Sequence, residues 1–373
     1  MIDVEKIKQY NILQGDALRI LASIPNDSVD MVVTSPPFYQ LRDYHSGEFE
    51  IGREESPLEY VAKLRDVFHE VKRVLKPTGT LWLNLGDTYN GNKKGNTEVN
   101  KNPELSKVSD AINKKEWKGI PPKSLIGIPW RVAFALQDDG WVLRNDIVWE
   151  KINAMPNSAP DRCSSSHEYL FMFSKEPSGY YFDYEAIEEP AKFNEVIKSK
   201  SVAQTASLFG EEEAQCTPIP YKTNIKFGGT KYPDSRCGAD ATYSGNAWTP
   251  KHKNLDVYGK GGMNNHSFHN RRAEGLRDEM CAVRRKRDVW SIPTKGYSGA
   301  HFATFPEKLV EPCILAGCPK GGIVMDVFSG AATTGVVALK NGRRYLGIEL
   351  NPEYIKLSHE RISKETAQQT FGF

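Results

Sequence analysis

The chain has no stretch approaching the roughly 20 apolar residues that a membrane-spanning helix needs. Its opening segment, MIDVEKIKQYNILQGD, carries charges where an export signal has an apolar run. Neither membrane insertion nor secretion is expected. Cysteine is scarce: six in 373 residues (Cys163, Cys216, Cys237, Cys281, Cys313, Cys318), with no Cys-x-x-Cys pair. That excludes a disulfide framework and leaves no closed zinc pattern. His266-x-x-His269 and the Cys313/Cys318 pair lie far apart in sequence and complete no four-ligand set, so no metal is expected. The Gly-x-Gly-x-x-Gly turn of dinucleotide enzymes is also missing, which argues against hydride transfer.

Net charge is nearly absent, at +2, but it is unevenly spread. Residues 191–290 carry a net +6 and residues 91–123 a net +4, leaving the rest of the chain at −8. An acidic body with two basic, weakly hydrophobic segments fits a polyanion partner, nucleic acid before others; a merely solvated basic face is the alternative. Hydrophobic residues make up 39% and charged residues 26%, which supports a packed core rather than wholesale disorder. The length allows one large core with an insertion, or two domains.

The punctuation predicts an α/β rhythm. Tyr10–Leu13 reads as a strand, Gly15-Asp16 as a turn, and Ala17–Ser23 as a helix ended by Pro25. Asp30–Thr34 is a short apolar run stopped by Pro36-Pro37, the pattern of a buried parallel strand. Pro57 to Leu75 has helical spacing, and Pro77-Thr78-Gly79 separates it from a strand at Thr80–Leu85. A helix from Ile128 to Leu136 and strands at Val142–Trp149 and Tyr169–Ser174 follow. Residues 190–290 lose periodicity and read as an insertion. The rhythm returns after Asp288-Val289-Trp290. Helices are expected at Glu307–Ala316, Thr333–Asn341 and Pro352–Lys364, the last with Asn351 as N-cap, and strands at Ile323–Val327 and Tyr345–Glu349. Strand and helix in this alternation imply a doubly wound, mostly parallel sheet.

Two constellations carry chemistry. In IVMDVFSGAATTGVVALKNGRRYLGIEL, Asp326 closes a strand, Gly330 permits close backbone approach, and Thr333 or Thr334 is placed to cap a helix whose amides suit an anionic group. Glu349, 23 residues beyond Asp326, stands where an acid takes a ribose hydroxyl pair; plain βα packing is the alternative. In Thr34-Ser35-Pro36-Pro37-Phe38-Tyr39, two prolines stiffen a turn at a strand's carboxyl end and leave a carbonyl without an intrachain partner. A hydroxyl, a fixed carbonyl and an aromatic face suit a flat amine-bearing ring; an ordinary Pro-Pro turn is the alternative.

These motifs resemble those of DNA amino-methyltransferases. Ser35-Pro36-Pro37-Phe38 is similar to the family's (Ser/Asn/Asp)-Pro-Pro-(Tyr/Phe) catalytic motif. Asp326-Val327-Phe328-Ser329-Gly330-Ala331-Ala332-Thr333-Thr334 resembles its cofactor motif, and Gly15-Asp16 the turn at the cofactor's adenine end. The segment His301–Leu309, with Thr304, looks like the one that holds the methionine part. Trp149-Glu150-Lys151, Asn153-Ala154-Met155-Pro156 and His167-Glu168-Tyr169 also fit. The catalytic motif precedes the cofactor motif, the permuted order of the β class.

The resemblance implies a permuted Rossmann-like methyltransferase sheet with a catalytic half (1–185, with a Lys-rich loop at 88–123), a target-recognition insertion (186–288) and a cofactor half (289–373). It implies S-adenosylmethionine held by Asp16, Thr304, Asp326, Phe328, Gly330, Thr333, Glu349 and Asn351, and no metal. It implies duplex DNA as partner and a site-specific methyl transfer to an exocyclic amino group of a flipped-out base. Ser35 leans to cytosine N4, with adenine N6 as the alternative. A non-catalytic DNA-binding relative and an RNA or protein methyltransferase are further alternatives. The expected setting is the cytoplasm of a prokaryote or of a phage-infected host, and a partner restriction endonuclease leaves no mark in the sequence. Arg271, Arg272, Arg284, Arg285 and Arg287, interspersed with aromatics, are the expected DNA contacts. Ala332 departs from the family by replacing a glycine; its methyl is tolerated if φ there is negative. Cys313, although it follows Pro312, sits in an apolar helical stretch and reads as core.

Overall fold

The computed structural model describes residues 2–44, 47–91, 110–111, 116–155, 159–190, 283–294 and 306–370. The chain forms two compact units, Met1–Glu188 with Arg285–Phe373, and Glu189–Arg284. Among the described residues, the main sheet of the first unit has eight strands: β1 (Tyr10–Gln14), β2 (Val29–Thr34), β4 (Leu75–Leu85), β6 (Val142–Glu150), β7 (His167–Ser174), β10 (Val289–Ser291), β11 (Ile323–Asp326) and β12 (Arg344–Glu349). Their order across the sheet is β1-β12-β11-β2-β4-β7-β6-β10. Every neighbouring pair is parallel except those made by β7, which runs antiparallel to both β4 and β6. A two-residue ladder joins β3 (Arg42–Asp43) to β5 (Asp110–Ala111). In the second unit, β8 (Glu189–Pro190) pairs with β9 (Val283–Arg284).

Helices cover both faces, as a buried parallel sheet requires. On one side lie α1 (Ala17–Leu21), α2 (Pro57–Val74) and α3 (Ile128–Asp138). Tyr60, Leu64, Phe68, Val71, Val132 and Leu136 from these helices bury against Val32, Leu81, Phe171 and Met325 of the sheet. On the other side lie α4 (Glu307–Gly317), α5 (Thr333–Lys340) and α6 (Pro352–Thr370). Val310, Ile314, Val337 and Ile362 meet Met31, Trp82, Val324 and Tyr345 there. Local chemistry sets the helix starts. Asp16 caps α1 by accepting from the Arg19 N–H at 3.0 Å, and Ser56 caps α2, with Pro57 at its first position, by accepting from the Glu59 N–H at 3.2 Å.

Two expectations are corrected. Pro77-Thr78-Gly79 does not separate helix from strand, because β4 runs on directly from α2. The register jumps instead, from Val29↔Leu75 to Met31↔Thr80, so the segment bulges out of the ladder. Gly79 is required in that bulge: a Cβ there would lie 2.6 Å from the Leu75 side chain and 2.9 Å from the Asp30 carbonyl. Nor is α5 capped by Thr333 or Thr334. Ala332 is its N-cap and offers no side-chain bond. Its φ is +53°, not negative, so an alanine sits where a left-handed conformation favours glycine.

Candidate active site

A cavity of about 560 Å³ opens at the carboxyl ends of β2, β4, β11 and β12. That is the size of a small-molecule site. It is also where the sheet order reverses, since β2 leads outward to β4 while β11 leads the other way to β12. The strand ends on either side of the crevice are pinned together: Thr34 Oγ1 donates to Asp326 Oδ1 at 2.6 Å.

One wall comes from the C-terminal segment. Asp326 is 1% exposed and accepts from Thr34 and from the Phe328 N–H (3.1 Å) at Oδ1, and from Thr334 (2.7 Å) at Oδ2. Burial pushes its pKa up to about 6, against the pull of those three donors. Glu349 is open to the cavity on one edge while its carboxylate lies deep in protein. Oε2 accepts from the Gly330 N–H at 2.7 Å and Oε1 from the Asn351 N–H at 2.8 Å. Burial, with the charge of Asp326 adding to it, raises Glu349 to about 7. Gly330, at φ +50°, takes the turn between them. Asp16, Phe328 and Thr333 line the same cavity. Asn351 does not: it stands behind Glu349, caps α6 through the Glu353 N–H (2.9 Å) and donates to the Tyr44 carbonyl (3.1 Å).

The opposite wall contains Ser35, Pro36, Pro37 and Phe38. Tyr60 Oη donates to the Pro37 carbonyl at 2.8 Å and braces the turn. Phe38 lies against Gly86, where a Cβ would come within 2.5 Å of the ring. Ser35 Oγ donates to Asn84 Oδ1 at 3.0 Å. Asn84 Nδ2 donates to Glu168 Oε2 and to the Tyr169 carbonyl, each at 3.1 Å, and Glu168 Oε1 is paired with Lys151.

The expected site residues of the first unit therefore converge, Asn351 at one remove. Thr304, Arg271 and Arg272 lie outside the described residues. The residues of the basic run differ in exposure and contacts. Arg284 is paired with Glu189 (2.9 Å) in the β8–β9 ladder, whereas Arg285, over the Tyr184 ring at 4.7 Å, and Arg287 are exposed. Cys313 is fully buried, its thiol directed to the Leu309 carbonyl at 3.2 Å, and burial pushes its pKa far up.

Several contributors were not singled out from sequence. Asn84 is a polar residue inside TLWLNL, and that interruption was the available signal. Ser358 donates to the Gly330 carbonyl (2.7 Å), and Arg361 to the Ala331 carbonyl (3.2 Å) and Thr333 Oγ1 (2.8 Å), so α6 clamps the loop before α5. Nothing in the amphipathic pattern of α6 distinguishes those two residues.

The site suits a nucleotide-like cation with hydroxyls. The Glu349 carboxylate accepts from the Gly330 and Asn351 N–H groups and, lining the cavity, has acceptor capacity left for a ribose hydroxyl. The two raised carboxyl groups would be drawn into their ionised form beside a positive ligand. Apolar surface from Ala17, Phe328, Ile348 and Leu350 flanks them. A doubly wound sheet with a carboxylate-bearing wall facing a Ser-Pro-Pro-Phe turn across one crevice is the arrangement expected of an amino-methyltransferase.

Comparison with known proteins narrows the class. The N6/N4 methyltransferase family, described as DNA methylase, matches residues 29–360. The type II methyltransferase M.Cfr9I of Citrobacter freundii is 37% identical over 355 residues, covering 95% of this chain and 88% of that one. Among solved structures, the PvuII DNA methyltransferase (cytosine-N4-specific) aligns with a TM-score of 0.53 at 19% identity, over 97% of this chain and 92% of that chain. A DNA modification methylase of Thermus thermophilus, complexed with S-adenosyl-L-methionine, aligns with a TM-score of 0.51 at 21% identity, over 98% and 96%. The two structures share the fold. The chain belongs to the N6/N4 DNA methylase family, whose methyl donor is S-adenosylmethionine. Among the described residues, no group of three or more His, Cys, Asp or Glu could hold a metal ion, and no helix is long and apolar enough to cross a membrane.

Proposed function

We propose that this chain methylates the exocyclic N4 of a flipped-out cytosine within a specific site of duplex DNA. The carrying observation is that Ser35, Pro36 and Phe38 share one cavity with Asp326, Gly330 and Glu349, while the Ser35 hydroxyl hydrogen is engaged by Asn84 Oδ1, which leaves the hydroxyl's lone pairs for a substrate donor. S-adenosylmethionine, bound on the Asp326–Glu349 wall, supplies an electrophilic methyl group. In this reading Glu349 accepts from the ribose hydroxyls, Phe328 and Asp16 flank the adenosine, and Asp326 holds the loop and offers negative charge to the cationic end.

The amino nitrogen of a base is a weak nucleophile because its lone pair delocalises into the ring. Ser35 Oγ and the Pro36 carbonyl accept from its N–H groups and favour the pyramidal nitrogen of the transition state. Phe38, for whose ring Gly86 leaves room, stacks on the extruded base. The remaining gain is positional; as the N–C bond forms, the sulfonium–methyl bond would break to leave a neutral thioether, and the extra proton on nitrogen would pass to solvent. Serine at the first motif position favours cytosine. Residues 186–288 serve as the target-recognition region, with Arg285 and Arg287 on the phosphate backbone. The setting is the cytoplasm of a prokaryotic or phage-infected host, with duplex DNA as partner.

The test is to incubate the protein with duplex DNA and labelled S-adenosylmethionine, digest to nucleosides, and identify the product by mass. N4-methylcytosine is expected, N6-methyladenine would reassign the base, and unmodified DNA would refute the activity. Ser35→Ala should slow single-turnover transfer by about 10²–10³-fold, the loss seen for one preorganised donor in an oxyanion hole. It should leave cofactor affinity unchanged in calorimetric titration.

A further inference from the structure

Four side chains in the base-side wall are joined end to end. Lys151 pairs with Glu168 Oε1, Asn84 Nδ2 donates to Glu168 Oε2 at 3.1 Å, and Ser35 Oγ donates to Asn84 Oδ1 at 3.0 Å. All four line the cavity. The polarity of this row is forced by what each group can do. An ammonium only donates, and a carboxylate paired with it only accepts. Asn84 Nδ2 therefore faces two acceptors, Glu168 Oε2 and the Tyr169 carbonyl. Its amide fits only with Oδ1 toward Ser35. The Ser35 hydrogen is then committed to Asn84, and both its lone pairs are left for a substrate.

We propose that the Lys151–Glu168 ion pair is a positioning element: acting through Asn84, it keeps Ser35 an acceptor toward the target amino group. With the Asn84 amide turned over, Ser35 would accept from Nδ2, and its own hydrogen would face the amino nitrogen that has to attack. The ammonium at one end of the row thus helps, together with the Tyr169 carbonyl, to set the direction of a hydroxyl at the other. Lys151 is itself held in place, with its ammonium 4.9 Å from the Trp149 ring and its backbone N–H donating to the Ser166 carbonyl at 2.7 Å. The inference rests on the reading of Ser35 as the base-side acceptor.

Volume-preserving substitutions test it. In Glu168→Gln, Lys151 holds the glutamine oxygen, so the glutamine N–H₂ faces Asn84 Nδ2 and favours the reversed amide. Single-turnover methyl transfer should fall about tenfold, the size of one misdirected hydrogen bond. Cofactor affinity by calorimetry should stay at the wild-type value. In a Lys151→Met background the glutamine is free to present its oxygen to Asn84, so adding Glu168→Gln should change the rate by less than about twofold. In a Ser35→Ala background Glu168→Gln should likewise have no further effect, since there is no hydroxyl left to direct.

An equal tenfold loss in all three backgrounds would make the ion pair a strut between β6 and β7 and overturn the proposal, as would a wild-type rate for Glu168→Gln alone. If Glu168→Gln alone fails to bind cofactor, the paired variant measured against Lys151→Met decides: parity supports the proposal and a tenfold loss refutes it. A wild-type rate for Ser35→Ala would instead remove the reading of Ser35 on which the proposal stands.

Discussion

Asp326→Asn should make the unliganded protein more stable at neutral pH, and the gain should vanish in acid. The carboxyl is buried, and its pKa lies near 6 in the fold against an ordinary 3.8. Between those values the folded chain holds a proton that the unfolded chain has lost, so stability falls as pH rises from about 4 to 6. One pH unit is worth about 1.4 kcal/mol, which sets the penalty at about 3 kcal/mol above pH 6 and close to zero below pH 4. Asparagine keeps the contacts: its oxygen still accepts from Thr34 and the Phe328 N–H, and the Thr334 hydroxyl rotates to accept from the new N–H₂. For a chain of 373 residues, 3 kcal/mol corresponds to about 4 °C in Tm. Urea denaturation of both proteins at pH 4 to 8 gives the difference curve, which cancels the groups that Asp326 does not touch; Glu349, whose pKa the Asp326 charge helps to raise, adds to the difference only toward pH 7. A difference that does not change with pH, or a variant less stable at pH 8, would refute the reasoning. The same variant should bind S-adenosylmethionine more weakly, since the charge that burdens the empty fold is the one offered to a cationic ligand.

Glu349 should impose a different pH dependence. With its pKa near 7, cofactor affinity should rise from pH 6 to 8 as the carboxylate forms, and that rise should be lost in Glu349→Gln when both are titrated by calorimetry. Ala332→Val should cost about 2–5 kcal/mol in urea denaturation, from a branched side chain at positive φ plus overpacking of a fully buried position. Arg285→Ala and Arg287→Ala should weaken binding to cognate and scrambled duplexes alike and flatten the salt dependence by about 0.9 for each phosphate no longer neutralised. Arg284→Ala should leave that slope unchanged, because its guanidinium is engaged by Glu189.

The parallel strands were legible because their apolar runs stop at strong breakers. Pro36-Pro37 closes β2, and Asn351-Pro352 marks the start of α6. The Pro-Thr-Gly segment misled for the same reason: the breaker is real, but an adjacent parallel strand tolerates it as a bulge, which only the pairing register reveals. The cavity's main residues were legible because the chemistry of strand ends is local in sequence. The bonds that support them are not. Thr34 and Asp326 are 292 residues apart, Ser35 and Asn84 are 49 apart, and Arg361 reaches Thr333 from a helix with its own amphipathic reason to exist. The Thr333 and Thr334 capping expectation failed because both hydroxyls are engaged elsewhere, by Arg361 and by Asp326.

The order of the sheet also bears on how the chain comes off a ribosome. β1 sits at an edge, and its one neighbour is β12, so Tyr10 waits more than 300 residues for Tyr345. At about 5–20 residues per second that is a delay of roughly 15–65 s. Throughout it β1 is unpaired, and β2 offers a bare parallel edge to anything nearby, since β11 is also still to come. Nascent chains arrested near residue 300 should therefore be protease-sensitive across residues 10–34. Moving residues 306–370 ahead of β1 by circular permutation would preserve every strand pair while bringing β11, β12 and β1 together early in synthesis.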